Sequence, residues 1–344
     1  MTRHKSDLLP VLSLYFTEYL PVTKGLSENS IRSYQYAFQL LFEFICETKG
    51  IQPEKVNFKD LEATAIEEYL AWLESKRGYG ISSRNQRLSA ISAFARHAIN
   101  RKPAEALGFY TAVSDIPTKK APERIPVYLT RNEVSVLLRL PDGNTKASAR
   151  DRVLLSVLYA SGARAQELCD ITVGDIRFAE KTSIKLIGKG NKGRVITIPD
   201  NCSKLLQKHL DKNKLGDKPG HHVFSSQTHE HMSISCIESI VKKYINQAKM
   251  KNPDCFLEKH YTPHSLRHSI AVHMLEAGIP LPVIKNFLGH ASLETTMIYA
   301  TVSDDLANLY LKDKSFLNNL ITDEAGADVP QGLGLEFLNK VKKK

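Results

Sequence analysis

Cysteine is scarce in this 344-residue chain, which has five cysteines and no CxxC pair. Zinc ribbons and disulfide-stapled domains need paired cysteines, so the sequence argues against both and favours a reducing compartment. The chain also lacks an apolar run near the ~20 residues of a membrane-spanning helix, an internal repeat and a secretory signal. We therefore expect a cytoplasmic protein with no membrane segment. The cysteines are Cys46, Cys169, Cys202, Cys236 and Cys255.

Positive charge is in excess, with 47 Lys and Arg against 37 Asp and Glu, for a formal net charge of +10. This balance favours a polyanionic partner, and nucleic acid is the usual one. A solvated basic face is the alternative that charge alone leaves open. The 42% of hydrophobic residues is ordinary for a protein with a core, and the length favours two domains.

Helical periodicity runs through residues 1–111, which we assign to a first, helical domain. One helix is predicted within residues 27–47, where apolar residues from Ile31 to Ile45 recur at helical spacing, and a second contains Trp72 and ends at Gly78. A third helix has Ser82 or Ser83 as its predicted N-cap. Its apolar stripe consists of Leu88, Ile91, Phe94 and Ala98.

Polar residues that suit DNA contact lie at the start of that third helix, namely Arg84, Asn85 and Arg87. Such side chains at a helix N-terminus can reach phosphates or base edges. An ordinary polar turn facing water is the alternative.

Residues 112–128 are interpreted as a basic linker, because three prolines interrupt regular structure there. Lys119 and Lys120 are its candidate contacts to a DNA backbone, and an ordinary solvated tether is the alternative.

The region 129–320 is predicted to be a second domain, mainly helical with a small β-sheet, and 321–344 a tail. Residues 182–199, "TSIKLIGKGNKGRVITIP", have the pattern of two strands joined by a Gly/Lys/Asn turn, which predicts a β-hairpin. The whole chain is therefore expected to be mainly α. Predicted helices in its second half cover 202–213, 234–249, 264–277, 281–288, 292–299 and 303–320.

Four short motifs in the second domain carry reactive side chains. They read "SGARAQEL" from Ser161, "GKGNKGR" from Gly188, "HSLR" from His264, and "LGH" from Leu288 with a tyrosine nine residues after its histidine. Their candidate functional residues are Arg164, Glu167, Lys189, His264, Arg267, His290 and Tyr299.

These motifs resemble those of the tyrosine recombinase, or phage integrase, family, in order and spacing. The N-terminal helices also look like the family's SAM-like core-binding domain, so the resemblance covers most of residues 8–320. Departures are mild: Ala163 replaces a larger apolar residue, and Ser269 and Val272 stand where Thr is common. None of these changes the charge of a motif. We see no additional arm-binding domain before the predicted core-binding helices, which favours a simple Xer-like or transposon-type enzyme.

The resemblance implies site-specific DNA recombination through a covalent 3′-phosphotyrosine intermediate. That intermediate conserves the energy of the phosphodiester, so we expect neither a cofactor nor a metal ion. Exchange of two duplexes needs four active sites, which implies a homotetramer on double-stranded DNA. An accessory DNA-bending protein is a further candidate partner. The predicted 303–320 helix is expected to dock on a neighbouring protomer or on its own domain.

Each motif residue has a chemical role that fits this reaction. Arg164 and Arg267 can each hold the equatorial oxygens of a five-coordinate phosphorus with two hydrogen bonds, and Glu167 can hold Arg164. Tyr299 is the expected nucleophile, and because a phenol has a pKa of about 10 it needs a base, for which His264 is the candidate.

Two further roles complete the expected site. Lys189 is the candidate general acid for the 5′-oxygen, with Lys192 as a close competitor that is also a candidate DNA contact. His290 is expected to donate a hydrogen bond to a phosphate oxygen.

A metal site is the competing interpretation of "HYTPHSLRH", because His260, His264 and His268 lie at intervals of four residues. Pro263 is predicted to begin the helix and so leaves His260 outside it. The neighbouring Arg267 would repel a cation. We therefore expect no metal here.

Two other functions share parts of the pattern. A DNA-binding protein with this fold that no longer cleaves would not need Tyr299 and two aligned arginines. A type IB-like topoisomerase shares the chemistry, but the basic linker and the candidate docking helix favour a recombinase.

Overall fold

The computed structural model describes residues 6–122, 125–188, 192–226 and 229–300. The chain divides into two compact units, Met1–Glu123 and Arg124–Lys344. This division falls inside the linker predicted at 112–128. Lys189, the predicted 303–320 helix and the 321–344 tail lie outside the described residues.

The first unit is built from helices. A π-helix, Tyr15–Thr23, continues directly from α1, and two short 3-10 turns, Pro53–Lys55 and Phe58–Asp60, follow α2. Gly50, with φ +62°, ends α2 in the left-handed conformation that glycine adopts without strain. The α-helices among the described residues of this unit are α1 Leu8–Leu14, α2 Glu28–Lys49, α3 Ala63–Ser75, α4 Ile81–Arg101 and α5 Pro103–Ser114.

The core of the first unit forms around Phe94 on α4. Its ring lies 5.2 Å from the rings of both Tyr15 and Phe38, and 6.1 Å from that of Phe109, so α4 contacts the π-helix, α2 and α5 through aromatic rings. The predicted apolar stripe of α4 is confirmed, because all four of its residues are buried.

The predicted cap of α4 is wrong. The helix begins at Ile81 with Gly80 as its N-cap, and the backbone N–H of Arg84 donates to the Gly80 carbonyl at 3.0 Å. Ser82 and Ser83 therefore lie inside the first turn, because the helix extends back to the extended backbone of Gly80.

The second unit contains eight helices among its described residues, and a small sheet. A 3-10 turn, Val173–Asp175, precedes the sheet. Pro263 begins α11 after the Thr262 N-cap, as predicted. The helices are α6 Arg131–Arg139, α7 Lys146–Ser161, α8 Ala165–Asp170, α9 Asp200–Lys212, α10 Ile234–Lys251, α11 Pro263–Glu276, α12 Leu281–Leu288 and α13 Glu294–Met297.

The sheet is antiparallel, in the order β1 Ile176–Arg177, β2 Ser183–Ile187, β3 Gly193–Thr197. The predicted hairpin is confirmed, with Ile184 opposite Ile196 and Leu186 opposite Arg194. The sequence did not indicate β1, because two residues are too few to show an alternating pattern. One face, with Ile184, Leu186 and Ile196, is buried.

Two apolar clusters hold the second unit together. The larger surrounds the buried side of α7, including Leu154, Leu155 and Leu158. The smaller lies between α11 and α12, and Tyr299 is part of it. No helix of the described chain has the length and apolar character needed to cross a membrane.

Candidate functional site

Arg164 occupies the N-cap position of α8, one residue after Ala163 and the left-handed Gly162 that ends α7. Its backbone N–H and its Nη1 both donate to the Glu167 carboxylate, at 2.9 and 2.8 Å. This double attachment is the predicted one-turn pairing. The Arg164 side chain keeps 35% exposure, so its guanidinium remains accessible.

Glu167 also accepts from a second guanidinium that the sequence did not single out. Arg194 on β3 donates from Nη1 and Nη2 to the two carboxylate oxygens of Glu167, at 2.8 and 2.7 Å. Burial would raise the pKa of Glu167, but hydrogen bonds from Arg194 and Arg164 outweigh it and lower the pKa to about 2. Glu167 is therefore ionised at neutral pH.

Arg267 on α11 is the most buried of the three arginines, with 2% exposure. Its Nη1 and Nη2 donate to the carbonyls of Gly162 and Leu288, both at 2.6 Å. Burial, followed by the charge of Arg164, lowers its pKa to about 10, so it stays cationic at neutral pH. These two of its five N–H groups fix the position of the guanidinium.

The Leu288-Gly289-His290 segment joins this cluster at the end of α12. Gly289 has φ +66°, and a Cβ there would lie 3.0 Å from Cδ of Arg194. The Nε of Arg194 donates to the Phe287 carbonyl at 2.9 Å, which ties β3 to this segment. Glycine is thus required both by the backbone and by the close approach of Arg194.

His290 and His264 both approach the arginines. Partial burial, then the charges of Arg267 and Arg164, lowers the pKa of each imidazole, to about 4 for His290. The Nδ1 of His290 lies 2.9 Å from Oγ1 of Thr296. Both rings are therefore neutral at pH 7, and a neutral ring can donate one hydrogen bond to an anion.

Tyr299 is 1% exposed, and its hydroxyl lies 2.9 Å from Nδ1 of His268. Its ring also stacks on His290, with centroids 6.4 Å apart and planes inclined by 18°. Burial raises the pKa of Tyr299, although the charges of Arg267 and Arg164 oppose that rise. The phenol is therefore protonated at neutral pH in this arrangement.

The charges of the cluster favour an anion. Arg164, Arg194 and Arg267 bring three positive charges, and Glu167 brings one negative charge. Neutral histidines and the tyrosine hydroxyl complete the lining. A phosphodiester gains one further negative charge when an oxyanion attacks it, so an excess of two positive charges suits that transition state. Among the described residues, no group of three His, Cys, Asp or Glu side chains could hold a metal ion.

Of the two predicted lysines, Lys192 is among the described residues. Lys192 is exposed at the base of the hairpin turn, where its carbonyl accepts from the Gly188 N–H at 3.0 Å. Lys189 is outside the described residues.

The predicted DNA-binding residues of the first unit contact their own chain. The Nη1 of Arg84 donates to the Pro117 carbonyl at 3.1 Å, and Nδ2 of Asn85 donates to the Lys119 carbonyl at 2.7 Å. The 117–119 stretch thus lies along α4.

The other three predicted DNA-binding residues, Arg87, Lys119 and Lys120, differ in solvent exposure and in their contacts. The guanidinium of Arg87 lies 4.8 Å from the Tyr36 ring centre, and only 8% of Arg87 is exposed. Lys119 forms a salt bridge with Glu74, whereas Lys120 is exposed.

Sequence reasoning missed Arg194 and gave His268 only a metal-binding role. The sequence features that could have indicated a role for these two residues are weak. Arg194 is the last residue of "GKGNKGR", and His268 lies one helical turn after His264 on the same face of α11.

Two models of phage integrase domains match this chain, one in each unit. Residues 127–305 match the phage integrase family, and residues 15–102 match the phage integrase N-terminal SAM-like domain. Tyrosine recombinase XerA of Pyrococcus furiosus is 33% identical over 90% of this chain and 96% of its own length. Tyrosine recombinase XerC of Pelobacter propionicus is 29% identical over 86% of this chain and 93% of its own.

Solved structures share the fold. The XerH site-specific recombinase in a post-cleavage complex with palindromic difH substrate aligns with a TM-score of 0.68 at 19% identity, over 83% of this chain and 80% of that one. A lambda integrase dimer bound to a COC′ core site aligns with a TM-score of 0.61 at 18% identity, over 87% and 77%.

Proposed function

This chain belongs to the phage integrase family of site-specific DNA recombinases, and we propose that it cleaves and rejoins DNA through a covalent bond to Tyr299. The observation that carries the proposal is the convergence of a tyrosine, two histidines and three arginines around one net-positive cluster. Every one of these groups can serve phosphoryl transfer without a bound cofactor.

The arginines supply the electrostatic part of the mechanism. Arg164 and Arg267 hold the non-bridging oxygens of the scissile phosphate, and His264 and His290 donate to the same oxygens. Because these donors are fixed before DNA arrives, they stabilise the five-coordinate phosphorus without rearrangement. A single such donor typically contributes on the order of 3–4 kcal/mol.

The bonds change in one displacement at phosphorus. Tyr299 Oη gives its proton to a histidine of the cluster and forms a bond to phosphorus, while the bond from phosphorus to the 5′-oxygen breaks, leaving a 3′-phosphotyrosine. The 5′-oxygen takes a proton from Lys189, our proposed general acid, with Lys192 as the alternative. Rejoining reverses these steps, with the 5′-hydroxyl of a partner strand as nucleophile.

Double-stranded DNA is the proposed partner of both units. In the first unit, we propose that the first turns of α4 and the 117–119 stretch bound to them contact DNA. The candidate contacts are Arg84, Asn85, Arg87, Lys119 and Lys120, with Lys192 in the second unit. Strand exchange between two duplexes requires four copies, so we propose a homotetramer on DNA, aided by residues 303–320. Its proposed location is the cytoplasm, and an accessory DNA-bending protein is a proposed helper.

A covalent-trapping assay tests the central step. The substrate is a duplex from DNA flanking the native gene, with a nick close to the cleavage site. After cleavage, the short strand that carries the new 5′-hydroxyl dissociates, so the phosphotyrosine cannot be rejoined. In the presence of EDTA, the wild-type protein should give a protein–DNA band on a denaturing gel. Tyr299→Phe should abolish this band, because it lacks the attacking oxygen.

The matched control is Tyr159→Phe, since Tyr159 is another partly buried tyrosine hydrogen-bonded to a histidine on α11. It should retain the band. Retention of the band by Tyr299→Phe would refute Tyr299 as nucleophile, as would the absence of a band from wild-type protein that binds the same DNA.

A further inference from the structure

The hydroxyl of Tyr299 hydrogen-bonds to His268, whose role the recombination chemistry above leaves open. The Nδ1–Oη distance is 2.9 Å, and the ring centroids are 5.6 Å apart. His268 is thus the hydrogen-bond partner of the Tyr299 hydroxyl among the described residues. His264 lies one turn earlier, with its ring centroid 5.9 Å from that of His268.

The direction of this hydrogen bond follows from the protonation of its partners. Burial, then the charges of His264 and Arg267, lowers the pKa of His268 to about 4, so its ring is neutral at pH 7. The Tyr299 phenol keeps its proton. Tyr299 must therefore donate to an unprotonated Nδ1, and the ring proton of His268 is on Nε2.

The position of His268 is set by its neighbours on α11. Arg267 is anchored by the carbonyls of Gly162 and Leu288, and Ser269 accepts from the Leu129 N–H at 2.8 Å. These long-range bonds on both sides fix the rotation of the helix at His268. Its imidazole is thus directed at Tyr299 before DNA binds.

We propose that His268, and not His264, accepts the proton of Tyr299 Oη as the nucleophile attacks. This inference rests on the function proposed above. As the Oη–phosphorus bond forms, the phenolic proton passes to Nδ1 and His268 becomes an imidazolium. The bond from phosphorus to the 5′-oxygen breaks, and that oxygen takes its proton from the general acid. On rejoining, Oη leaves phosphorus and recovers its proton from His268.

The charged groups around His268 decide when the proton moves. His264 and Arg267 on α11, His290 after α12 and Tyr299 after α13 face its ring. The nearby cation disfavours an imidazolium in the free protein, so the phenol remains neutral there. A bound phosphate brings negative charge that favours the imidazolium, so transfer is coupled to the presence of DNA.

The test uses His268→Asn, because an amide oxygen can accept the tyrosine hydrogen bond but cannot take up the proton. Cleavage of the nicked duplex should slow by about 100-fold, the lower end of what a general base contributes. The variant's rate should also rise tenfold per pH unit above pH 7, because cleavage then depends on phenolate formed by solvent hydroxide. The wild-type rate should change little over the same range.

A second substrate separates loss of the base from loss of the acid. A duplex with sulfur in place of the bridging 5′-oxygen has a leaving group that needs no proton. It should restore cleavage by Lys189→Ala but not by His268→Asn. Full restoration of His268→Asn by this substrate would overturn the proposal.

Matched variants control for lost structure. His273→Asn removes another Tyr–His hydrogen bond of 2.9 Å on the same helix, that to Tyr159, and should cleave at the wild-type rate. His264→Asn should slow cleavage without the steep pH dependence, since it removes a phosphate contact. If His264→Asn shows the pH dependence and His268→Asn does not, the proposal is wrong.

Nitrogen NMR of histidine-labelled wild-type protein gives a test that needs no change at His268. The His268 signals should report a neutral ring protonated at Nε2, and Tyr299→Phe should shift the Nδ1 signal. A protonated or Nδ1–H ring would overturn the proposal. Wild-type protein that forms no adduct would instead refute the function itself, which separates the two failures.

Discussion

At the scale of single residues, Glu167 links the arginines of the site. Its carboxylate, 4% exposed, is shared by Arg164 and Arg194, and Arg194 also donates to the Phe287 carbonyl. A buried carboxylate with two cationic partners orients both of them. Arg194 therefore acts as a positioning residue for Arg164 and for the segment that contains His290.

We expect Arg194→Ala to weaken both stability and cleavage. Removing Arg194 leaves the buried Glu167 carboxylate with Arg164 as its remaining cationic partner, so the loss in unfolding free energy should be below the roughly 3 kcal/mol of a fully broken buried ion pair. Cleavage of the nicked duplex should fall by about 100-fold, because displaced catalytic groups carry penalties of that size. Arg194→Lys, which keeps the charge without the forked geometry, should give an intermediate result.

Arg32→Ala is the control, since its salt bridge with Glu28 is exposed, at 72% and 87% of the two side chains. It should change unfolding free energy by less than about 0.5 kcal/mol in denaturant titrations. Equal losses for Arg194→Ala and Arg32→Ala would contradict the positioning role.

Part of the site could be predicted from sequence because each motif is local. Arg164 with Glu167, and His264 with Arg267, are pairs one helical turn apart, and the order of motifs specified the rest. The contacts of Arg194 and His268 are long-range, spanning 27 residues to Glu167 and 31 to Tyr299. Such pairs depend on how β3 and α11 pack, which local periodicity does not encode.

At the scale of elements, periodicity predicted the long helices and the hairpin, and failed at their edges. The start of α4 was misplaced because Gly80, Ser82 and Ser83 are all acceptable N-caps, and only backbone hydrogen bonding selects Gly80. The short β1 strand forms because Ile176 pairs with Ile184 of β2. The two residues of β1 carry no sequence pattern that would predict this pairing.

The ends of α11 and α12 allow a matched comparison between two glycines. Gly278 and Gly289 both have positive φ, +77° and +66°, but only Gly289 has a neighbour, Arg194, where a Cβ would lie. We expect Gly278→Ala to cost about 1 kcal/mol from backbone strain alone. Gly289→Ala should cost more, because Arg194 must also move.

Cleavage should distinguish the two glycine variants further. Displacing Arg194 disturbs Glu167 and His290, so Gly289→Ala should cleave the nicked duplex more slowly, whereas Gly278→Ala should cleave at the wild-type rate. Thermal melting and the trapping gel measure the two effects separately. Equal behaviour in both assays would show that the close approach of Arg194 has no energetic consequence.

At the scale of the whole molecule, the two units differ in how many of their described histidines have a pKa lowered by burial. Each unit has its own hydrophobic core. Among the described residues of the first unit, burial lowers the pKa of one histidine, His97. It lowers the pKa of five in the second unit, namely His209, His264, His268, His273 and His290. Acid should therefore act mainly on the second unit.

We expect the second unit to lose stability in two steps as the pH falls. Histidines with lowered pKa bind fewer protons folded than unfolded, so their contribution is complete above about pH 6.5. It declines toward pH 4, the approximate pKa of His268 and His290 in the fold. Glu167, whose pKa is about 2, contributes fully above about pH 4.5 and loses that contribution below it.

The single tryptophan makes this asymmetry measurable. Trp72 lies on α3 in the first unit, 6% exposed, so its fluorescence follows the unfolding of that unit. Circular dichroism follows the helices of both units. Between pH 7 and pH 5, the melting temperature of the helical signal should fall more than that of the tryptophan signal. The double variant His268→Asn, His290→Asn should reduce this difference, because neither asparagine takes up a proton. Coincident shifts of the two signals in the wild-type protein would show that the site's histidines do not control its acid stability.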